Sequence, residues 1–228
     1  MPICSLILDL DDTLFDCTGL LTDAARLRAT HSILQFNAEN TADYLCELQA
    51  ELSDEIGSTE ALREIGRRLE LSAKVVESAT AEYNRDEVEE IHTFPDVPDT
   101  LAALAERGYK LSLVTAGRKD RQRAKIQRLG LDDVFSDSLG NLWIHDADAD
   151  KTGPLHEAAD RMGFDPQQVL SVGDKLDADI AVSNRLGMVT ARLLHGRQKE
   201  RSPASPDETP DHTIARISDL LKLLPRLE

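Results

Sequence analysis

Short apolar runs alternate with helical patterns over most of the chain. Five of these runs predict β-strands: Cys4–Leu10, Lys110–Thr115, Val134–Ser138, Val169–Gly173 and Val189–Leu194. A weaker sixth strand is expected near Thr213–Ala215. Four amphipathic segments predict helices, and a glycine follows each of them closely: Pro98–Arg107, Lys119–Leu129, Pro154–Met162 and Asp177–Leu186. This alternation predicts an α/β fold with a doubly wound, Rossmann-like parallel sheet.

Residues 16–92 break the alternation, because they show helical periodicity without a credible strand. Their apolar positions form three stripes at helical spacing: Tyr44, Leu45, Leu48, Leu52 and Ile56; Leu62, Ile65 and Leu69; Val75, Val76, Ala79 and Tyr83. The segment is too long for a simple crossover between two strands. We therefore expect a core domain of residues 1–15 and 93–228, interrupted by a helical domain of residues 16–92.

The composition is that of a folded and strongly acidic protein. With 41% hydrophobic residues the chain can bury a core, and its apolar runs, such as Ile3–Leu8, are too short for a membrane helix. The start, Met1–Cys4, lacks the basic region of a signal peptide, and the three cysteines have no metal-ligand spacing, which favours a reducing cytoplasm. A net charge of −16 and a pI near 4.7 argue against a nucleic-acid partner. At first sight they argue equally against a phosphate-bearing substrate.

Clustered carboxylates at two strand ends change this picture. Asp9 and Asp11 end the first strand, and in extended backbone their side chains share one face. A single aspartate there is usually a turn former or a helix cap, but adjacent carboxylates repel one another unless a cation or a proton lies between them. Asp174 follows Gly173 at the end of another apolar strand. Hard oxygen ligands without nearby His or Cys favour Mg²⁺ over zinc.

Two segments could complement these acids. Thr115-Ala116-Gly117 ends a strand, where a hydroxyl and successive backbone N–H groups could hold phosphate oxygens. Lys151 lies just before a predicted helix. Either feature alone is unremarkable, since a strand-end Thr commonly reflects β-propensity and a single Lys is commonly a surface residue.

In this order, the motifs resemble those of the haloacid dehalogenase-like (HAD) superfamily of phosphohydrolases. Asp9-Leu10-Asp11-Asp12-Thr13 is similar to its first motif, Asp-x-Asp-x-Thr, in which Asp12 occupies the variable position. Thr115 and Lys151 match the second and third motifs, and Gly173-Asp174 with Asp179 matches the fourth. The resemblance implies a catalytic core with an inserted helical cap. Two departures are Ala116, where many relatives have Asn, and the position of Lys151, which is slightly nearer the next helix than usual.

The resemblance also implies a mechanism. Asp9 would be the nucleophile that forms an aspartyl-phosphate, and Asp11 the general acid and base, with a pKa raised by neighbouring carboxylates. Mg²⁺ would be held by the carboxylates of Asp9 and Asp174 and by the backbone carbonyl of Asp11. Its substrate would be a small phosphorylated metabolite, with no nucleic acid or membrane involved.

The supporting roles follow from the same resemblance. Thr115, Ala116 and Lys151 would bind the phosphoryl oxygens. Asp179 and Thr13 would orient these groups without contacting the substrate themselves. Lys125 and Lys175 are assigned to helix or loop faces elsewhere. Arg118–Arg123 is interpreted as a solvated helix face, although Arg118 or Arg121 could attract an anionic substrate.

Several alternatives remain open. A phosphomutase would keep all of these residues, a receiver-type signalling domain also gathers aspartates, a Thr and a Lys, and a silent phosphate-binding scaffold could share the fold. The sequence leaves the substrate and the oligomeric state undetermined. Proximity suggests four residues that could contact the leaving group: Phe15, Asp16, Arg26 and Arg28.

Overall fold

The computed structural model describes residues 1–37, 39–85, 90–146 and 150–227. By its internal contacts the chain divides into two compact units: one is Met1–Thr18 with Val88–Glu228, and the other is Gly19–Glu87. The larger unit contains the sheet, and the smaller one is helical. Assignment of the helical unit as a substrate-selecting cap stays a prediction.

Six parallel strands form the sheet of the larger unit: β1 (Ser5–Leu8), β2 (Lys110–Ala116), β3 (Leu142–His145), β4 (Val169–Gly173), β5 (Val189–Leu193) and β6 (His212–Ile214). Their order across the sheet is β3-β2-β1-β4-β5-β6, which is the doubly wound, Rossmann-like order. The predicted fold class is therefore confirmed. β1 lies between β2 and β4, with Ser5 opposite both Lys110 and Val169. All four residues of β1 are buried, as expected for a central strand covered on both faces.

One predicted strand is wrong. Val134–Ser138 forms turns, in which the Phe135 N–H donates to the Leu131 carbonyl at 2.8 Å. The strand lies further along the chain, at β3, which pairs with β2 through Val114 opposite Trp143. Phe135 is fully buried although it is not in a strand, whereas every residue of β3 is only half-buried because this strand lies at the edge of the sheet.

Four helices of the larger unit lie close to the predicted positions: α5 (Val97–Glu106), α6 (Lys119–Arg128), α7 (Thr152–Met162) and α8 (Ala181–Arg185). A short further helix, α9 (Leu220–Leu223), is not among the predicted ones. The last predicted core helix, Asp177–Leu186, is a π-helical turn, Leu176–Ile180, that continues into α8. One face of α7 packs on the sheet, where Leu155 and Ala158 join Ile7 and Val114 in a buried cluster.

The helical unit consists of α1 (Asp23–Leu34), α2 (Ala42–Ile56), α3 (Ser58–Arg68) and α4 (Ala73–Tyr83). Its core combines residues from all four helices: Ala29, Ile33, Leu45, Leu48, Leu52, Ala61, Leu62, Ile65 and Ala79. Tyr44 and Ile56, at the two ends of the first predicted stripe, are instead exposed. No helix in the described part of the chain is both long and apolar enough to cross a membrane.

Candidate active site

Two acidic strand ends meet where the strand order reverses. The Asp9 N–H donates to the Val172 carbonyl at 2.9 Å, so Asp9 continues the pairing of β1 with β4 by one residue. Asp174 follows β4, and Asp179 lies in the π-helical turn after it. One carboxylate oxygen from each of Asp9, Asp174 and Asp179 lies within 4.8 Å of the others, and all three residues are buried. The structure therefore brings three of the predicted aspartates together at the carboxyl ends of neighbouring strands.

Gly173 allows the close approach of this turn to β4. A Cβ at Gly173 would overlap the Asp179 carboxyl group. Asp179 cannot easily move away, because its Oδ2 accepts from the Lys175 N–H at 3.0 Å and its Oδ1 accepts from Lys151. A residue with a side chain at position 173 would therefore displace Asp179.

Lys151 is the cation of the acidic cluster. It lies immediately before α7, is only 6% exposed, and donates to Asp9 Oδ1 at 2.6 Å and to Asp179. Burial would lower the pKa of Lys151, but the charges of Asp179 and Asp9 raise it, so the ammonium stays charged. Its position before the helix thus places Lys151 beside the predicted nucleophile.

Negative charge in the cluster exceeds what Lys151 neutralises. Burial raises the pKa of Asp174 to about 8, and the nearby charge of Asp179 adds to this effect. Burial likewise raises the pKa of Asp9 to about 6, against the opposing charge of Lys151. Asp174 Oδ1 is buried without a hydrogen-bond partner among the described residues. A buried, unpartnered carboxylate oxygen beside two further carboxylates fits a hard cation such as Mg²⁺.

Asp11 differs from the expectation. Its carboxylate is ion-paired with Lys125, whose Nζ lies 2.8 Å from both Oδ1 and Oδ2. Burial alone would raise the pKa of Asp11, but the charge and hydrogen bonds of Lys125 lower it below its ordinary value. The expected rise, caused by neighbouring carboxylates, is therefore wrong, and so is the assignment of Lys125 to a face elsewhere. Lys175 also lies near the site, where the charges of Asp9 and Asp174 raise its pKa against the effect of burial.

Gln122 connects Thr115 with Asp11. Its Nε2 lies 2.8 Å from Thr115 Oγ1, 2.6 Å from the Ala116 carbonyl and 3.3 Å from Asp11 Oδ2. Since Thr115 accepts this bond, its hydroxyl proton can still be donated to a phosphate oxygen. The Gly117 N–H, in contrast, donates to the His145 carbonyl at 2.8 Å. The expected run of free backbone donors after Thr115 therefore does not extend to Gly117.

The remaining residues of the first motif, and the residues just after it, have partners or are buried within the segment that follows β1. Thr13 is fully buried, and its Oγ1 has no hydrogen-bond partner among the described residues. Asp12 adopts a left-handed backbone with φ of 59°, and its carboxylate accepts from the Thr18 N–H and hydroxyl rather than joining the cluster. Asp16 pairs with His195 at 3.4 Å. The Phe15 ring is buried, 5.7 Å from Lys125 Nζ.

Sequence reasoning does not assign four residues to the site: Gln122, Lys125, Lys175 and Arg192. Gln122 and Lys125 belong to α6, whose many charged residues predict a solvated face. Both are nevertheless buried and three residues apart, which places them on one side of a helix. Arg192, in β5, is buried and donates to the Asp174 carbonyl at 3.2 Å. A charged residue within a buried strand is the signal that the sequence offers for it.

Arg118 and the predicted substrate-contacting arginines have local partners. Arg118 pairs with Asp120 at 2.8 Å and is exposed. In the helical unit, Arg26 pairs with Asp23 at 2.8 Å, and Arg28 Nε lies 3.3 Å from the Glu82 carbonyl. A role in substrate recognition stays a prediction for each of them.

Comparison with known proteins points to one family. The family model for haloacid dehalogenase-like hydrolases matches residues 5–187. The chain is 33% identical to a glyceraldehyde 3-phosphate phosphatase of Methanopyrus kandleri, over 98% of this chain and 97% of the relative. It is 29% identical to a phosphoglycolate phosphatase of Aquifex aeolicus, over 92% of this chain and 95% of that protein. The crystal structure of a predicted phosphoglycolate phosphatase from Haemophilus somnus matches with a TM-score of 0.71 at 19% identity, covering 97% of both chains, which supports the fold.

Proposed function

The chain belongs to the haloacid dehalogenase-like hydrolase family and is a phosphoric monoester hydrolase, and from this premise we propose that it is a Mg²⁺-dependent phosphatase acting on a small phosphorylated metabolite. The observation that carries the proposal is the environment of Asp9. This buried carboxylate is held by Lys151 at 2.6 Å and lies beside Asp174, whose Oδ1 has no partner among the described residues. A carboxylate fixed in this way can attack phosphorus once the charge around it is neutralised.

The donor set fits a magnesium ion. The carboxylates of Asp9 and Asp174 and the backbone carbonyl of Asp11 would hold it, leaving Asp179 to bind Lys151. When bound, the ion supplies positive charge that allows a phosphate dianion to approach the anionic nucleophile. Lys151 adds a second positive charge next to Asp9.

The first half of the reaction forms an aspartyl-phosphate. A carboxylate oxygen of Asp9 forms a bond to phosphorus, and the bond between phosphorus and the leaving oxygen breaks. The leaving oxygen takes a proton from the protonated form of Asp11. Thr115 and Lys151 bind the phosphoryl oxygens during this transfer, the former through its hydroxyl proton.

In the second half, water hydrolyses the intermediate. Water attacks phosphorus, the bond from phosphorus to Asp9 breaks, and Asp11 takes the proton released by the water. Asp11 is thereby returned to its protonated form, and phosphate leaves. The ion-paired carboxylate of Asp11 in this structure is the form that accepts this proton.

Size and charge near the site favour a small anionic substrate. A cavity of about 440 Å³ adjoins it and is lined in part by Ala116, Lys151 and Lys175. This volume is in the range of small-molecule pockets. The names of the relatives make glyceraldehyde 3-phosphate and phosphoglycolate the first substrates to test.

The strand order argues against a receiver domain. Receivers have the order 2-1-3-4-5, whereas here β1 lies between β2 and β4. A phosphomutase keeps the same site, and only its products distinguish it from a phosphatase.

The decisive experiment is a substrate panel with a matched inactive variant. Phosphorylated metabolites are assayed with Mg²⁺ for release of inorganic phosphate, alongside Asp9→Asn. We expect phosphate release from wild type, loss of at least about 1,000-fold in the variant, and none without divalent metal. Isomeric phosphate esters without free phosphate would indicate the mutase, and activity that survives Asp9→Asn would refute the mechanism.

A further inference from the structure

The surroundings of Asp11 indicate a role for a lysine outside the four motifs. We infer that Lys125 is a positioning residue that holds the Asp11 carboxylate as the base of the second half-reaction, in which the aspartyl-phosphate is hydrolysed. The inference rests on the proposed function, because it concerns a step of that reaction. It assigns to α6 a task distinct from phosphate binding.

Lys125 is built into the segment that follows β1. Its side chain is only 6% exposed, and its Nζ lies 2.8 Å from both oxygens of Asp11, 3.7 Å from Cys17 Sγ and 5.7 Å from the centre of the Phe15 ring. These neighbours all belong to residues 11–17. A buried ammonium with an ion pair on both carboxylate oxygens is costly to separate, so it determines where the carboxylate lies.

Two residues of α6 contact the Asp11 carboxylate. Lys125 donates to each of its oxygens. Gln122 Nε2, whose two N–H groups have shorter contacts with Thr115 and Ala116, lies 3.3 Å from Oδ2. Since Gln122 also donates to Thr115, the same helix aligns Asp11 with a predicted phosphate-binding hydroxyl.

The two half-reactions depend on this geometry to different extents when the leaving group needs no proton. The first half then proceeds without Asp11, whereas the second half still requires the Asp11 carboxylate to lie where it can take a proton from water. In that step the oxygen of water bonds to phosphorus, the bond from phosphorus to Asp9 breaks, and the proton moves to Asp11. With such a substrate, loss of Lys125 should slow hydrolysis of the intermediate more than its formation.

Pre-steady-state kinetics separate the two halves. The substrate is p-nitrophenyl phosphate with Mg²⁺, because its leaving group departs without a proton. For Lys125→Met we expect a burst of nitrophenolate equal to the enzyme concentration, followed by turnover about 100-fold slower than wild type. Acid quenching should trap phosphorylated enzyme during the slow phase. Lys125→Arg, which keeps the charge, should recover part of the rate.

The control is Lys119→Met, which removes an exposed lysine from the same helix and should behave as wild type. If Lys125→Met does not fold, as judged by circular dichroism, Lys125→Gln carries the same test, since it removes the charge but keeps a donor. A folded variant with a slowed rate but no burst, or with kcat within about 3-fold of wild type, overturns the inference. Failure of the proposed function is seen separately, as a wild type that releases no nitrophenolate or an Asp9→Asn variant that retains its activity.

Discussion

Gly173→Ala should damage the site through a single methyl group. The added Cβ would overlap the carboxyl group of Asp179, which is 3% exposed. Because Asp179 is held by Lys151 and by the Lys175 N–H, it cannot rotate away without breaking one of these bonds. The substitution therefore moves the partner of Lys151, and with it the ammonium that contacts Asp9.

The size of the effect follows from this overlap. Overpacking of a buried position costs about 1–3 kcal/mol. For a chain of this length each kcal/mol lowers Tm by roughly 2–4 °C, so Tm should fall by roughly 2–12 °C. A displacement of about 1 Å among reacting groups costs on the order of 100-fold in rate, so kcat should fall by about that factor.

The assay pairs thermal unfolding with phosphate release, and the control is Gly153→Ala. Gly153 lies in the first turn of α7, two residues after Lys151, and a Cβ there meets no atom within 4 Å. Alanine at this helical position should change stability by less than about 1 kcal/mol, in the stabilising direction, and leave kcat unchanged. If Gly173→Ala has the same Tm and kcat as this control, the close approach of Asp179 to Gly173 does not affect stability or activity, and the reasoning is refuted.

Three further predictions concern charge, core and helix ends. The folded-state pKa of Asp174 is raised from 3.8 to about 8, so without metal its contribution to stability is present below pH 3.8 and is lost as the pH rises through about 8. Calorimetry in the presence of a chelator should show this loss of stability, and the Asp174→Asn variant should show a flatter dependence of Tm on pH. The rise in Tm caused by Mg²⁺ should be larger at pH 8 than at pH 6. Leu8→Ala, at a fully buried position of β1, should lower the free energy of unfolding in urea by about 2–5 kcal/mol, whereas Leu27→Ala, at an exposed position, should cost far less. Thr41 accepts from the Tyr44 N–H at the start of α2, so Thr41→Ala should cost about 1 kcal/mol, measured by chemical denaturation, and Thr41→Ser should restore it.

The sequence predicted those features that depend on local patterns. Buried strands such as β1 and β4 are short apolar runs followed by acidic residues, so both their positions and their carboxylates were visible. The prediction of a strand at Val134–Ser138 is wrong because a buried residue at this point of the chain does not belong to a strand. Phe135 is buried within a turn, while β3 is only four residues long and lies half-buried at the sheet edge with one neighbouring strand.

Pairings between distant residues could not be predicted in the same way. Lys125 meets Asp11 across the fold, and no periodicity distinguishes it from the exposed charges of α6. As a result the local argument, in which neighbouring carboxylates raise the pKa of Asp11, omitted the cation that reverses the shift. Gln122 was hidden for the same reason, since its role depends on its contact with Thr115.

The central position of β1 has a consequence for how the chain acquires its structure. β1 is made first, yet its two neighbours, β2 and β4, lie beyond the whole helical unit in the chain. Contacts between residues so far apart close slowly, because the entropy of a long loop is lost before any pairing is gained. The helical unit is continuous in sequence and can form as it leaves the ribosome, whereas Asp9 has to wait until Val172 has been synthesised. The carboxylates of Asp9 and Asp174 are therefore brought together late in folding, when nearly all of the chain is available.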